Sequence, residues 1–408
     1  MHLIDRRTFL KISGLTGAGI VAPRVVFAAD ATSAAAARPQ AAPWRSRLVK
    51  FPEKTEMILL TDRPPQLETP LKYFKQDLTP NEAFFVRWHL SGIPTSVDLG
   101  TFRLSVGGHV EKPLSLSVGD LKQNFEPVSL VAVGQCSGNS RSFFQPRVAG
   151  GQWGNGAMGC AKWTGVRLKD LLERARVKSG AVDISFAGLD EPPLPDTAKF
   201  VKSLDLAHAA DGEVMVAYAM NDADLPMLNG YPLRLIVPGW FATYWVKSLN
   251  QINVLPEKFK GFWMDKAYRI PKADDHNESP QQLATETIPI NRHTLRSIFV
   301  TPPNVAALAD KPIEVEGLAF DDGTGVTKVE LSSDGGKSWN ETKFVGDDMG
   351  KYAWRRWKTS WTPPAPGSFT LMCCATNKAG VMQTTAPQWN RSGYQRNVIE
   401  QIQVEVRA

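Results

Sequence analysis

Residues 271–289, PKADDHNESPQQLATETIP, are predominantly polar and carry a proline at each end. A stretch without apolar periodicity offers no face to a core, so it divides the chain into two textures. Beyond it, PIEVEGLAFDDGTGVTKVELSSDGGKSWNETKF alternates apolar and polar residues between DDGTG and DGG turns, and GSFTLMCCATNKAGVMQ repeats the pattern. A period of two, broken by turns at regular intervals, specifies half-buried antiparallel strands. The reading is an all-β immunoglobulin-like sandwich over residues 291–408, reached through a linker over 271–290.

Ahead of the linker the texture is mixed. LKDLLERARVK, from Leu168 to Lys178, places its leucines at helical spacing, and SLDLAHAADGEVMVAYAMNDADLP reads as a helix running into a strand. YPLRLIVPGWFATYWVKSLNQINVL reads as two strands broken at Pro238-Gly239. The elements alternate without a βαβ rhythm, so residues 65–270 are expected to form an α+β domain rather than a doubly wound sheet. With 408 residues and 43% apolar content, the chain has material for two cores.

The first residues read as a signal. DRRTFLK precedes a weakly apolar, Gly-rich stretch and the small-residue site VFA at Val26–Ala28, and the paired Arg6 and Arg7 match a twin-arginine leader. Residues 1–28 are therefore expected to be a leader directing folded export to the periplasm, and 29–64 an N-terminal extension that is Ala/Pro/Arg-rich at its start. Folded export suggests a cofactor inserted before transport. The leader holds Arg6, Arg7, Lys11 and Arg24 against Asp5, so its removal lowers the formal net charge from +6 to +3. That balance, with no Lys/Arg run, excludes nucleic acid as an expected partner and suits a small anionic substrate. No segment has the length and apolarity of a membrane span.

Four cysteines, Cys136, Cys160, Cys373 and Cys374, do not form a disulfide framework by spacing. Cys373 and Cys374 are adjacent in an apolar strand-like run and read as small hydrophobes, as does Cys160. Cys136 differs. It ends the apolar run VAVGQ and is followed by SGNSR, whose small residues supply backbone donors that favour a thiolate, with Arg141 and Arg147 close by. On position alone a lone cysteine after a strand reads as filler. A soft thiolate is nevertheless a ligand for thiophilic metals, and no partner at zinc spacing is present. Upstream, FFVRWHLSGIP puts Arg87 and His89 on one face of an extended segment.

FFVRWHLSGIP, QCSGNSR, GAMGCAKWTGVRLKDLL, NGYPLRLIVPGWFATYWVKSL and GFWMDKAYRIP, in this order and spacing, resemble the sulfite oxidase family of molybdopterin enzymes, and within it the bacterial periplasmic sulfite dehydrogenases that reduce cytochrome c. The resemblance runs from about residue 65 to 408. It implies a molybdopterin-binding domain followed by a dimerisation-type immunoglobulin-like domain. It also implies a Mo-molybdopterin cofactor with one molybdenum per chain, and Cys136 as the thiolate ligand. Arg87 would face the substrate oxyanion with His89 beside it, Tyr268 would be the active-site phenol, and Arg396 the arginine that the second domain adds to the pocket, with Arg391 as its competitor. Phe85, Val86, Arg87, Trp88, His89, Arg141, Asp190, Asn229, Arg234, Trp245, Val246 and Lys247 would surround the cofactor, and Trp163 would wall the pocket.

Capture of a small hydrated dianion needs fixed cations, and arginine forks supply paired charge-assisted hydrogen bonds. A neutral phenol donates without competing with them. Animal sulfite oxidases carry a histidine where this chain has Asn229 and begin with a b-type haem domain. Residues 30–86 contain no histidine and the chain has no C-x-x-C-H, so no haem is expected in this chain. Electrons would leave to a cytochrome c, possible as a tightly bound subunit, and the assembly would be a homodimer or a heterodimer. The expected reaction is sulfite oxidation. A sulfane dehydrogenase or sulfoxide reductase of the same fold is the alternative, and a non-catalytic immunoglobulin-like binding protein the remote one.

Overall fold

Two β-ladders carry the first domain. In one, Val201–Asp205, Asp183–Gly188, Leu249–Leu255, Leu104–Gly108 and Leu114–Leu116 lie side by side, with only the Leu249–Leu255 and Leu104–Gly108 pair parallel. In the other, Ala223–Asp224, Met215–Met220, Met158–Arg167 and Val128–Gln135 form an antiparallel sheet, and Arg234–Ile236 pairs with Met215–Met220. Their inward residues, among them Val106, Ile184, Ile252, Trp163, Val166 and Val216, build one apolar core. The structure is a computed structural model and describes residues 48–273, 277–301 and 306–408, all belonging to one compact unit, Arg38–Ala408. The expected leader lies outside the described residues.

The mixed helix–strand reading is corrected. The described residues contain four α-helices, Val118–Asn124, Leu168–Ala175, Leu206–Ala209 and Phe262–Asp265, none longer than eight residues. Ser117 starts the first with a capping box, exchanging hydrogen bonds with Asp120. Leu168, Leu171, Leu172 and Ala175 bury the expected face of the second, and Arg176, at φ 53°, stops it short of Lys178. Elsewhere the ladders win: Val201–Asp205 is a strand paired along its length, leaving the following helix four residues. The domain is mostly β.

The second domain is a two-sheet sandwich. Arg296–Phe299, Ile313–Phe320, Arg355–Trp361 and Lys343–Val345 form one sheet. Ala306–Leu308, Glu400–Arg407, Gly367–Asn377, Val326–Ser332 and Asn340–Glu341 form the other. Trp357, Phe299, Leu371, Cys373 and Val404 fill the space between. Successive Cys373 and Cys374 are both buried, as strand alternation with both faces covered requires.

The domains meet along an apolar seam in which Phe74, Val133, Met158 and Cys160 pack with Ile298, Leu318, Phe320 and Trp354. At its edge Arg296 and Glu400, 1% and 0% exposed, form an ion pair at 2.8 Å, and Arg296 also donates to Ser140 at 3.1 Å. The polar stretch read as a linker is built into the fold. Arg269–Pro271 pairs with Thr287–Pro289 at its base, and buried Glu278 binds Arg391 and the Ala284 amide. A four-stranded N-terminal sheet, Leu48–Lys50, Glu56–Asp62, Pro65–Glu68 and Val86–Arg87, leads the chain into the site.

Candidate functional site

The strand Val128–Gln135 ends at Cys136, and the chain turns back at once. The Asn139 amide donates to the Cys136 carbonyl at 2.9 Å, and Ser140 adopts the left-handed region at φ 68°. This turn is clamped to residues 153–157. The Cys136 amide donates to the Ala157 carbonyl, the Ser140 amide to the Gly154 carbonyl, and the Ala157 amide to Asn139 Oδ1. Glu68 holds the other side of that segment by accepting from the Gly154 and Gly156 amides. The thiol is therefore fixed by backbone bonds at the mouth of a strand.

The segment after the N-terminal sheet sorts its residues by alternation. Val86 and Trp88 pack with Met57 and Leu67 in an apolar cluster, whereas Phe85, Arg87 and His89 line a cavity. That cavity opens to solvent, holds about 380 Å³ of empty space with its mouth included, and also meets Cys136, Ser137, Asn229, Arg234, Ala242, Thr243, Lys247 and Tyr268. A second lobe of about 600 Å³ is lined by Gln66, Arg141, Trp153, Ser392 and Tyr394 among others. Arg87, Cys136 and Tyr268 line both lobes, so they form the waist between them. Among the described residues no carboxylate lines either lobe.

Burial and charge set the protonation of the waist. Burial, then the charges of Arg87, Lys247 and Lys202, hold His89 well below its ordinary value, so its imidazole is neutral. Its Nε2 lies 2.6 Å from Tyr268 Oη, and its ring stacks on Phe200 with centroids 3.7 Å apart. Burial raises the Tyr268 phenol, which stays protonated although Arg87 pulls the other way. Tyr268 sits at φ 59°, a conformation that costs a bulky residue on the order of 1–3 kcal/mol. Its ring lies parallel to that of Tyr394, interplanar angle 2°, with centroids 5.6 Å apart.

Cations dominate the first lobe. Burial, followed by the charge of Arg234, brings Lys247 down to about 7, with Asp190 opposing. Burial brings Arg234 down to about 9. Arg141 lines the second lobe, donating to the Ser392 and Gly151 carbonyls at 3.0 and 3.1 Å.

Several expected residues stand elsewhere. Val86 and Trp88 turn away from the cavity, and Trp88 donates to the Leu228 carbonyl. Asp190 is buried as the electrostatic partner of Lys247 rather than a lining residue. Trp245 and Val246 are fully buried, Trp245 packing edge-on to Trp163 and donating to the Val237 carbonyl. Arg396 donates to Glu400 at 2.7 Å and stacks over Phe143, so the second domain faces the cleft with Ser392 and Tyr394 instead. Arg391 is held by Glu278. Cys160 is buried and pushed up to about 12, an inert thiol. The sequence reading took Ser137 only as a small turn residue beside Cys136, and it passed over Thr243, Gln66 and Tyr394.

A cleft of this shape, with one thiol at its waist and cations on its walls, has the make-up of a site for an anionic group that carries a thiophilic metal. The model of the oxidoreductase molybdopterin binding domain matches residues 90–263, and that of the Mo-co oxidoreductase dimerisation domain matches residues 288–407. Human mitochondrial sulfite oxidase is 32% identical over 367 residues, covering 85% of this chain and 65% of that protein. Chicken sulfite oxidase is 32% identical over 335 residues, covering 78% and 70%. The chain belongs to the sulfite oxidase family of molybdenum enzymes. It spans somewhat less than two thirds of the length of the human relative. Among solved structures, the crystal structure of the sulfane dehydrogenase SoxCD from Paracoccus pantotrophus shares the fold at TM-score 0.72 and 23% identity, covering 94% of this chain and 93% of that one.

Membership implies a Mo-molybdopterin cofactor, and the residues fit it. The first lobe offers an anionic group two buried cations, and Arg234 Nε and Ser137 Oγ are buried without a hydrogen-bond partner among the described residues. A single thiolate at Cys136 suits a metal that arrives with ligands of its own. When bound, the cofactor supplies two-electron redox chemistry. Arg234, Lys247 and Asn229 would hold it, Cys136 would ligate the metal, and Arg87 and Arg141 would orient an anionic substrate. His89 and Tyr268 hold a shared proton at the waist.

Proposed function

We propose that the protein oxidises sulfite to sulfate in the periplasm and passes the electrons to a cytochrome c. Sulfite and water give sulfate, two protons and two electrons, and the electrons leave by way of the cofactor. The observation that supports this reading is the convergence of Arg87, Cys136 and Tyr268 between a cationic cofactor lobe and an open lobe bearing Arg141. A carboxylate-free cleft of that charge favours a small oxyanion. Periplasmic location rests on the leader motif. The sandwich is read as immunoglobulin-like, and the assembly as a homodimer or a complex with a haem subunit.

A second reading keeps its place because Arg396 stands away from the cleft. Without it the open lobe has fewer fixed cations for a free dianion and more room for a sulfur carried on a larger partner, as in a sulfane dehydrogenase. Metal analysis of protein from a cofactor-competent host, together with reduction of added cytochrome c, tests both. Sulfite-dependent reduction by molybdenum-loaded protein supports the first reading. Reduction that requires protein-bound sulfane sulfur moves the assignment to the second, and absence of molybdenum overturns both.

A further inference from the structure

Lys54 lies between the first two strands of the N-terminal sheet, in the stretch read from sequence as an extension and ahead of the matched family domain, which begins at residue 90. Its side chain is nonetheless buried, 3% exposed, beside the cofactor lobe. The ammonium donates to the carbonyl of Asn81 at 2.8 Å, to the carbonyl of Phe84 at 3.1 Å, and to Asn229 Oδ1. Three acceptors match its three N–H groups, which fixes the ammonium in place.

The third of these bonds matters most. With Oδ1 turned to Lys54, the Asn229 amide must present its NH₂ group on the other side, where it donates to the Phe85 carbonyl at 3.0 Å. The Asn229 carbonyl in turn accepts from Arg234 Nη1 at 3.0 Å. Lys54, Asn229 and Arg234 are thus one chain of hydrogen bonds running from the N-terminal sheet to the cavity wall. Phe85, Asn229 and Arg234 all line that wall.

The charge balance points the same way. Burial brings Lys54 down to about 7, with Arg234 adding to the effect and Glu53 and Glu82 opposing it. Lys54, Arg234 and Lys247 therefore place three cations in one buried region, which is unfavourable by itself and becomes favourable opposite an anion.

We propose that Lys54 is a positioning residue for the cofactor: it orients Asn229 and Arg234 and adds a third positive charge behind the lobe that receives the cofactor's anionic part. The N-terminal segment then retains a cofactor that the adjoining domain binds. This rests on the molybdopterin reading above.

The test compares wild type, Lys54→Met and Lys54→Gln made in a cofactor-competent host. Molybdenum per chain and the fluorescence of oxidised pterin released on denaturation give occupancy, and repeated dialysis gives the rate of cofactor loss. Both variants are expected to lose cofactor at least about tenfold faster than wild type, which corresponds to a weakening of one charge-assisted contact. Their cofactor-free forms are expected to melt close to the wild-type temperature at pH 6, because relief of a buried charge offsets the loss of its hydrogen bonds. Lys54→Gln keeps a donor for Asn229 Oδ1 without the charge, and it carries the test if Lys54→Met does not fold. Wild-type retention in Lys54→Gln overturns the role of the charge. Cofactor-free variants that melt well below wild type at pH 6 overturn the proposal in favour of a folding effect. Wild type lacking both molybdenum and pterin overturns the cofactor reading itself.

Discussion

His89 Nε2 and Tyr268 Oη stand 2.6 Å apart at the waist of the cleft, one group from the N-terminal entry and the other from beyond residue 260. Tyr268 is buried and His89 half-buried, and both are neutral, His89 because its pKa is held far down and Tyr268 because its phenol is held up. One proton lies between them. A pair of this kind can pass a proton at constant charge, which keeps the arginines free for anions. Tyr268→Phe removes the proton-bearing oxygen and leaves the ring stack on Tyr394. Turnover is expected to fall about 10²-fold with the melting temperature little changed. Steady-state kinetics and thermal melting check both halves.

Arg87 belongs to both lobes, so its loss affects anion capture before any chemistry. On the proposed sulfite-oxidising reading, Arg87→Met is expected to raise the sulfite KM by about 10- to 100-fold, the range of a lost charge-assisted hydrogen bond. An unchanged KM would move the substrate away from the waist.

Arg396 makes the opposite prediction. Its guanidinium is bound to Glu400, so Arg396→Met is expected to leave the sulfite KM within about threefold while lowering the melting temperature. Breaking one contact to a buried carboxylate costs roughly 1–3 kcal/mol. A large rise in KM with unchanged stability would return Arg396 to the pocket.

The buried cations make the cofactor-free protein sensitive to pH. Lys54, Lys202 and Lys247 are each brought from 10.5 down to about 7 by burial. Between pH 7 and 10.5 the unfolded chain binds more protons at these positions than the folded one, so stability rises with pH. The cofactor-free protein is expected to melt higher at pH 9 than at pH 7. Below pH 6.5 the depressed His89 and His293, the latter near 3, act with the same sign, and stability falls as pH falls. Melting curves across pH 5–9 show both arms.

Much of this site can be read in the sequence, and the unread part has a common cause. Cys136 after an apolar run, Arg87 and His89 two residues apart, and Tyr268 within KAYRIP are local patterns, and the structure gathers all four around one cleft. The two-sheet texture of the second domain was equally local. Lys54, Lys202 and Tyr394 were not legible. A lysine reads as surface until the fold supplies carbonyls to hold it, as Asn81 and Phe84 do for Lys54 and Trp263 does for Lys202. Arg396 misled because spacing cannot show that Glu400, four residues on, points back to it. One helix was read too long where strand pairing overrode local periodicity, at Ser203–Asp205.

The parallel rings of Tyr268 and Tyr394 have a consequence for how such a protein can diverge. One ring comes from the first domain and the other from a loop of the sandwich, yet they form a single wall of the open lobe. The two domains therefore cannot be exchanged between relatives as independent modules. Grafting a foreign sandwich would replace half of that wall, and a lobe of the same shape arising by recombination would have to inherit both rings together.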